Sequence, residues 1–210
     1  MNCMPFDAVL CDLDGVLRLW DPDAMSGLDR EYGLAAGTLA ATAFRPERLV
    51  PAVTGEITDE EWRSAVAEDL AEACGSAERA QALSAAWGLL TGRVDGDVLA
   101  LLAAARRRVP VVLVSNATTR LEADLAQLGL TDAVDAVVNT ARIGVAKPDP
   151  RVYQIAAERA GVPVSRCLFI DDTLANVTAA TATGMTGLHF QRIQQLRDAL
   201  APLLGADLPR

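Results

Sequence analysis

The stretch Phe6-Asp7-Ala8-Val9-Leu10-Cys11-Asp12-Leu13-Asp14-Gly15-Val16-Leu17 constrains the chain more than any other. An apolar run of the length of a buried strand ends in two carboxylates one residue apart, and a glycine then releases the chain into a turn. On an extended backbone Asp12 and Asp14 point the same way, so the end of this strand carries two like charges that disfavour each other's ionisation. A cation is expected beside them. Cys11 precedes Asp12 on the strand and is expected on the opposite face, in the core.

The next stretch, from Arg18 to about Asp95, offers no convincing strand. Helical patterns appear at 24–32 before Gly33, at 62–74 behind a capping-box start Thr58-Asp59-Glu60-Glu61, and at 77–90 before Gly92. Pro46 and Pro51 are expected to break the middle of this helical insert. Beyond Asp95 helices and strands alternate. Asp97 is expected to cap a helix over 98–108, and 111–114 is a β-branched strand ending in Ser115-Asn116. Thr119-x-x-Glu122 is expected to open a helix that closes at Gly129, and 136–138 is a weaker strand. Asp149-Pro150 starts a helix that runs to Gly161. A strand over 167–170 ends in Asp171-Asp172, and helix 174–182, strand 187–190 and helix 193–204 complete the chain.

Strands that are apolar throughout, joined by helices, predict an α/β fold: a Rossmann-like parallel sheet core covered by helices on both faces. Residues 1–17 and 96–210 form that core, and 18–95 an inserted all-helical domain. Ligands of such sheets bind at the carboxyl ends of the strands. Asp12, Asp14, Ser115, Asn116, Asp171 and Asp172 all stand at those ends, and Lys147 comes from a loop on the same side.

Composition narrows the chemistry. A formal charge of −9 argues against nucleic acid as a partner, because that affinity rests on Lys and Arg at phosphates. Of 19 basic residues only Lys147 is lysine, so a compact point charge is specified at one position among planar guanidiniums. Cys3, Cys11, Cys74 and Cys167 lack paired spacing, and with a single His no zinc framework is credible. They read as free thiols of a reducing cytoplasm. The N-terminus lacks a signal-peptide pattern, and the longest apolar helix pattern stops at Arg106-Arg107-Arg108, so no membrane role and a cytoplasmic location are expected. Monomer and homodimer are both compatible with the sequence.

Four acids converging on one sheet edge call for a cation, and with no His or Cys among them the hard-oxygen choice is Mg²⁺. Magnesium accepts one or two carboxylates plus substrate phosphate, which favours phosphoryl chemistry on a small phosphorylated metabolite. Lys147 supplies a second positive charge for phosphoryl oxygens, and Ser115 and Asn116 supply hydroxyl and backbone N–H donors at a strand-to-helix turn.

With Asp12-Leu13-Asp14-Gly15, Ser115-Asn116, Lys147-Pro148 and Asp171-Asp172 in this order, the chain resembles the haloacid dehalogenase-like superfamily of phosphohydrolases. The insert resembles the small α-helical cap that one subgroup carries between the first and second motifs. The resemblance implies that Asp12 attacks phosphorus to give an aspartyl phosphate, and that Asp14 is the acid and then the base. It implies that Mg²⁺ is held by the Asp12 and Asp172 carboxylates and the Asp14 backbone carbonyl. Asp171 stands nearby, through water or holding Lys147. Ser115, Asn116 and Lys147 bind the phosphoryl group, and Asn176 orients the residues behind the metal.

The dehalogenating members are similar except at the second acid, which this chain keeps, so phosphatase is preferred. The alternatives are a sugar phosphomutase on the same core and a non-catalytic binding or scaffold protein. Taken singly the motifs also serve blander ends, since Ser115-Asn116 and Asp171-Asp172 are both good helix caps. Trp20, Arg45, Arg48 and Arg63 are the insert's candidates for facing the substrate, although Trp more often packs and Arg more often covers a solvated face. His189 is expected to be structural.

Overall fold

The structure, a computed structural model, describes residues 6–209. Cys3 therefore lies outside the described residues.

The first strand, β1 (Ala8–Cys11), is the middle of a five-stranded sheet. The chain leaves it through β2 (Arg18–Leu19) into five helices: α1 (Ala24–Glu31), α2 (Thr38–Ala43), α3 (Pro46–Val53), α4 (Asp59–Leu70) and α5 (Ala77–Gly88). It returns through β3 (Arg93–Val94) to α6 (Gly96–Arg106), β4 (Val111–Ser115), α7 (Leu121–Gln127), β5 (Ala136–Asn139), α8 (Thr140–Ile143) and α9 (Pro150–Ala160). Strand β6 (Cys167–Asp171), helix α10 (Leu174–Ala182), strand β7 (Thr186–His189) and helix α11 (Ile193–Leu204) follow.

The sheet order is β5-β4-β1-β6-β7, parallel throughout. Side chains alternate between its faces as a two-residue period requires. Val9, Cys11, Val111, Leu113, Leu168 and Ile170 pack with α6, α7 and α11 on one face. Ala8, Leu10, Val112, Val114 and Phe169 pack with α9 and α10 on the other. With both faces covered, neither has room for a polar residue along the strands, and the polar side chains are displaced to the strand ends. The strand order reverses between β1 and β6, the point at which sheets of this kind leave a crevice outside the carboxyl ends.

Helices α1–α5 share a separate hydrophobic cluster that includes Leu39, Trp62, Val66, Leu70, Leu83 and Trp87. The sequence signals hold well here. Thr58 and Glu61 form the reciprocal capping box of α4, and the Ser76 side chain caps α5. Pro46 fills the first position of α3, where its missing N–H is not needed. Pro51 does not break that helix as expected: α3 runs through it to Val53, anchored by buried Ala52 and Val53.

The insert is not free of strands. Arg18 pairs with Val94 and Leu19 with Arg93 in an antiparallel ribbon that ties its two ends together. A two-residue strand has no periodicity to read, and its partner lies at the far end of the insert. Two caps also differ from expectation. Asp95, not Asp97, accepts the first N–H groups of α6, because helix α6 begins at Gly96, two residues before the apolar pattern does. Thr119 does not cap α7; its Oγ1 accepts instead from the Asp59 N–H of the insert.

Candidate active site

Strand β1 ends at Cys11, but the Asp12 N–H still donates to the Ile170 carbonyl, which fixes Asp12 against β6. The next residues coil. The N–H groups of Leu17 and Arg18 both donate to the Leu13 carbonyl, and Gly15 sits at φ 78°, a conformation that favours glycine. This turn overrides the extended backbone expected from the sequence and separates the two acids. Asp12 faces Lys147, whereas the Asp14 carboxylate is held by Arg18 Nε and Nη2 at 2.6 and 2.8 Å and by Trp20 Nε1 at 2.6 Å.

The expected convergence of four carboxylates is thus a convergence of three. Oxygens of Asp12, Asp171 and Asp172 lie within 4.8 Å of one another, and the Asp14 side chain is not in that group. The three contribute hard oxygens only, the donor set of Mg²⁺ rather than of zinc or copper. A close approach shapes the group: a Cβ on Gly15 would lie 2.0 Å from Asp172 Oδ2, so only glycine leaves room for that carboxylate. His189 supports the same corner from behind, its Nε2 2.9 Å from the Asp172 backbone oxygen.

Lys147 is buried between carboxylates, 2.9 Å from Asp12 Oδ1 and 2.7 Å from Asp171 Oδ2, and it also donates to the Val114 carbonyl at 2.9 Å. Burial draws its ammonium down, but the two carboxylates outweigh this and hold it above the usual lysine value. The loop that delivers Lys147 is clamped by Asn116, whose side chain accepts from the Lys147 N–H at 2.8 Å and donates to the Lys147 carbonyl at 2.9 Å. From the sequence only a backbone role is expected of Asn116; the clamp has no signature in local spacing.

Asp171 is fully buried and commits both oxygens within the protein, to Lys147, to Asn176 Nδ2 at 3.1 Å and to the Thr173 N–H at 2.8 Å. Asp12 is pushed up to about 7, by burial first, with Asp171 adding to the rise and Lys147 opposing it. Asp172 is also raised, by burial and by Asp171. Acids raised in this way are those that a bound cation would relieve.

One open cavity of about 590 Å³ is lined by Asp12, Asp14, Ser115, Asn116, Lys147 and Asp172. Ser115 Oγ is buried there without a hydrogen-bond partner among the described residues. A second cavity, of about 310 Å³, shares Asp14, Trp20 and Asn116 with the first and lies between the insert and the sheet edge. Of the insert candidates, Trp20 and Arg63 line it. Arg45 and Arg48 do not: both bind Asp69 on the outside of the insert. Residues that the sequence did not single out complete the junction. Asp59 accepts from Thr118 Oγ1 at 2.8 Å and from Arg63 Nε at 2.6 Å, and Arg120 donates to the Gly88 carbonyl at 2.7 Å.

The family model for the haloacid dehalogenase-like hydrolases matches residues 6–184. The chain is 40% identical to Phosphatase MT3486 of Mycobacterium tuberculosis over 103 residues, a match spanning 48% of either chain. It is 26% identical to the sesquiterpene phosphatase astK of Aspergillus oryzae over 90% of this chain and 91% of that one. A solved HAD family enzyme of Bacteroides thetaiotaomicron, in complex with magnesium and inorganic phosphate, superposes with a TM-score of 0.71 at 22% identity. That superposition covers 89% of this chain and 94% of that one. Three motifs at the strand ends of a parallel sheet, a lysine delivered by a loop on the same side, and a family match over most of the length lead to one conclusion: the chain belongs to the haloacid dehalogenase-like hydrolases.

Proposed function

We propose that the chain is a Mg²⁺-dependent phosphatase that cleaves a small phosphomonoester through an aspartyl phosphate on Asp12. The observation that carries this reading is Ser115 Oγ, a buried hydroxyl with no hydrogen-bond partner among the described residues, on a residue that lines the same cavity as Asp12 and Lys147. An orphaned buried hydroxyl costs stability unless a ligand satisfies it, and a phosphoryl oxygen does so. The phosphatases among the relatives support the same reaction, and the magnesium and phosphate complex of the Bacteroides enzyme supports the same metal.

Asp12 attacks phosphorus as the ester P–O bond breaks, and Asp14 delivers a proton to the departing alkoxide. Asp14 then takes a proton from the water that attacks the phosphorus of the aspartyl phosphate, which restores Asp12 and releases phosphate. Lys147, held by Asp171, offsets charge on the phosphoryl oxygens, and Ser115 Oγ and the Asn116 N–H donate to them. The Asp12 and Asp172 carboxylates, with the Asp14 backbone carbonyl, would hold Mg²⁺, which supplies Lewis-acid neutralisation of the transferring group when bound. Asn176 and Asp171 keep the ammonium in line. Residues 18–95 act as a cap domain hinged on the β2–β3 ribbon, and the Arg18 and Trp20 donors to Asp14 lie at that hinge.

A mutase would need a second anion site in the cap. Arg45, Arg48 and Arg63 are instead each paired with an aspartate, which counts against it. The test is phosphate release from p-nitrophenyl phosphate: turnover with Mg²⁺ that stops with EDTA and returns with Mg²⁺ supports the reading. No turnover of a broad panel of phosphate esters contradicts it and favours a non-catalytic binding protein.

A further inference from the structure

The chain has only three tryptophans, and all three, Trp20, Trp62 and Trp87, line the cavity between the insert and the sheet edge, joined by Phe44. Trp62 and Trp87 meet edge to face at 4.9 Å, and Phe44 meets Trp87 at 6.4 Å in the same manner. Trp62 and Trp87 are buried in the insert, but Trp20 is 44% and Phe44 47% exposed. Open aromatic surface on the wall of a cavity is costly in water and marks a contact that a ligand completes.

The charged groups of this cavity are balanced against one another. Arg18 binds Asp14 and Asp124, Arg120 binds Asp124, and Arg63 binds Asp59. Two of the guanidiniums also lie over indole faces, Arg18 at 4.7 Å from Trp20 and Arg63 at 4.2 Å from Trp87. No net charge is left over for a carboxylate or a second phosphate. Arg63 Nη1, buried and without a hydrogen-bond partner among the described residues, is a single donor atom left for a neutral acceptor. A polyhydroxylated sugar would bring several hydroxyls against indole and phenyl faces with few polar atoms to receive them, at a desolvation cost for each.

We propose that this cavity receives the alcohol part of the substrate, and that this alcohol is an apolar ring or hydrocarbon carrying at most one neutral acceptor, rather than a sugar or a nucleoside. The inference rests on the phosphatase reading above and gives it a substrate class. Continuity links the two sites, since Asp14, Trp20 and Asn116 line both cavities. The apolar wall also extends beyond the first chamber. A neighbouring cavity of about 350 Å³ shares Trp20, Phe44, Arg63 and Trp87 and adds Met25 and Leu90, which gives a longer hydrocarbon somewhere to go.

The test compares phosphates of primary alcohols, so that the leaving oxygen is matched: cyclohexylmethyl phosphate and benzyl phosphate against glucose 6-phosphate and uridine 5′-phosphate, with Mg²⁺. The apolar esters are expected to lead in kcat/KM by about tenfold or more. In Phe44→Ser that lead is expected to shrink by about threefold or more, mainly through KM. Titration of tryptophan fluorescence in Asp12→Asn reads binding without turnover and should give the same order of affinity. Equal or better kcat/KM and affinity for the sugar or nucleoside ester overturns the substrate class while leaving the phosphatase reading intact. Tight benzyl phosphate binding with no phosphate released by the unmutated protein from any ester upholds the cavity assignment and overturns the phosphatase reading instead.

Discussion

The Lys147 ammonium lies 2.9 Å from the Asp12 carboxylate, and both side chains are buried. A lone carboxylate at this position, beside buried Asp171, would be costly to ionise, so the only lysine of the chain also has a structural duty. Lys147→Met should destabilise the fold by about 3–5 kcal/mol, as removal of one partner from a buried ion pair does. Lys147→Arg should not restore the site, since a planar fork cannot donate to Asp12, Asp171 and the Val114 carbonyl from one point. Urea denaturation of both variants measures this, and wild-type stability in Lys147→Met would contradict the pairing.

Gly15 tests the carboxylate group independently of turnover. Gly15→Ala puts a methyl where Asp172 Oδ2 now lies and strains a backbone at φ 78°. Calorimetric Mg²⁺ titration should show affinity about 10–100-fold weaker, the effect of disturbing the support of a metal ligand. Unchanged affinity would remove Asp172 from the metal site.

The raised Asp12 carboxyl makes stability depend on pH in an unusual direction. Its folded value, about 7, lies above its unfolded one, so its contribution is fully present below the unfolded value and is lost as pH rises through about 7. Asp69 and Asp135, held below the usual carboxylate range, lose theirs only at more acid pH. In EDTA, Tm should therefore fall between about pH 5 and pH 8, and fall less in Asp12→Asn. The same Tm profile in both proteins would contradict the assignment.

Asp14→Asn should lower kcat by about 10²–10⁴-fold for alkyl phosphates. The loss should be smaller for p-nitrophenyl phosphate in the first chemical step, because that leaving group departs without a proton. Rapid-quench measurement of the two esters separates the cases, and an equal loss for both would argue against an acid role.

Much of this was legible in the residues, and the part that was not has a common cause. Capping chemistry at Thr58 and Asp149 and the apolar strands are local signals, and they mark the helices and the parallel sheet. The strand-end polar residues were legible for the same reason, because a doubly covered sheet leaves chemistry nowhere else to stand. Long-range contacts were not legible. The Arg18–Val94 ribbon, the Asn116 clamp on Lys147 and the Asp59–Thr118 link each join distant positions with no periodic pattern. The divergence of Asp12 and Asp14 was missed because a tight turn, set by hydrogen bonds to the Leu13 carbonyl, replaced the extended backbone that an Asp-x-Asp spacing suggests.

The proposed reaction turns on a bond from Asp12 to phosphorus. Acid quench of the protein during turnover of p-nitrophenyl phosphate with Mg²⁺, followed by peptide mass mapping, tests it directly. One phosphoryl group is expected on the peptide containing Asp12, labile to hydroxylamine and absent in Asp12→Asn, together with a fall in kcat of about 10⁴-fold or more in that variant. Phosphate release at an undiminished rate by Asp12→Asn, or a phosphoryl group on another residue, would contradict it.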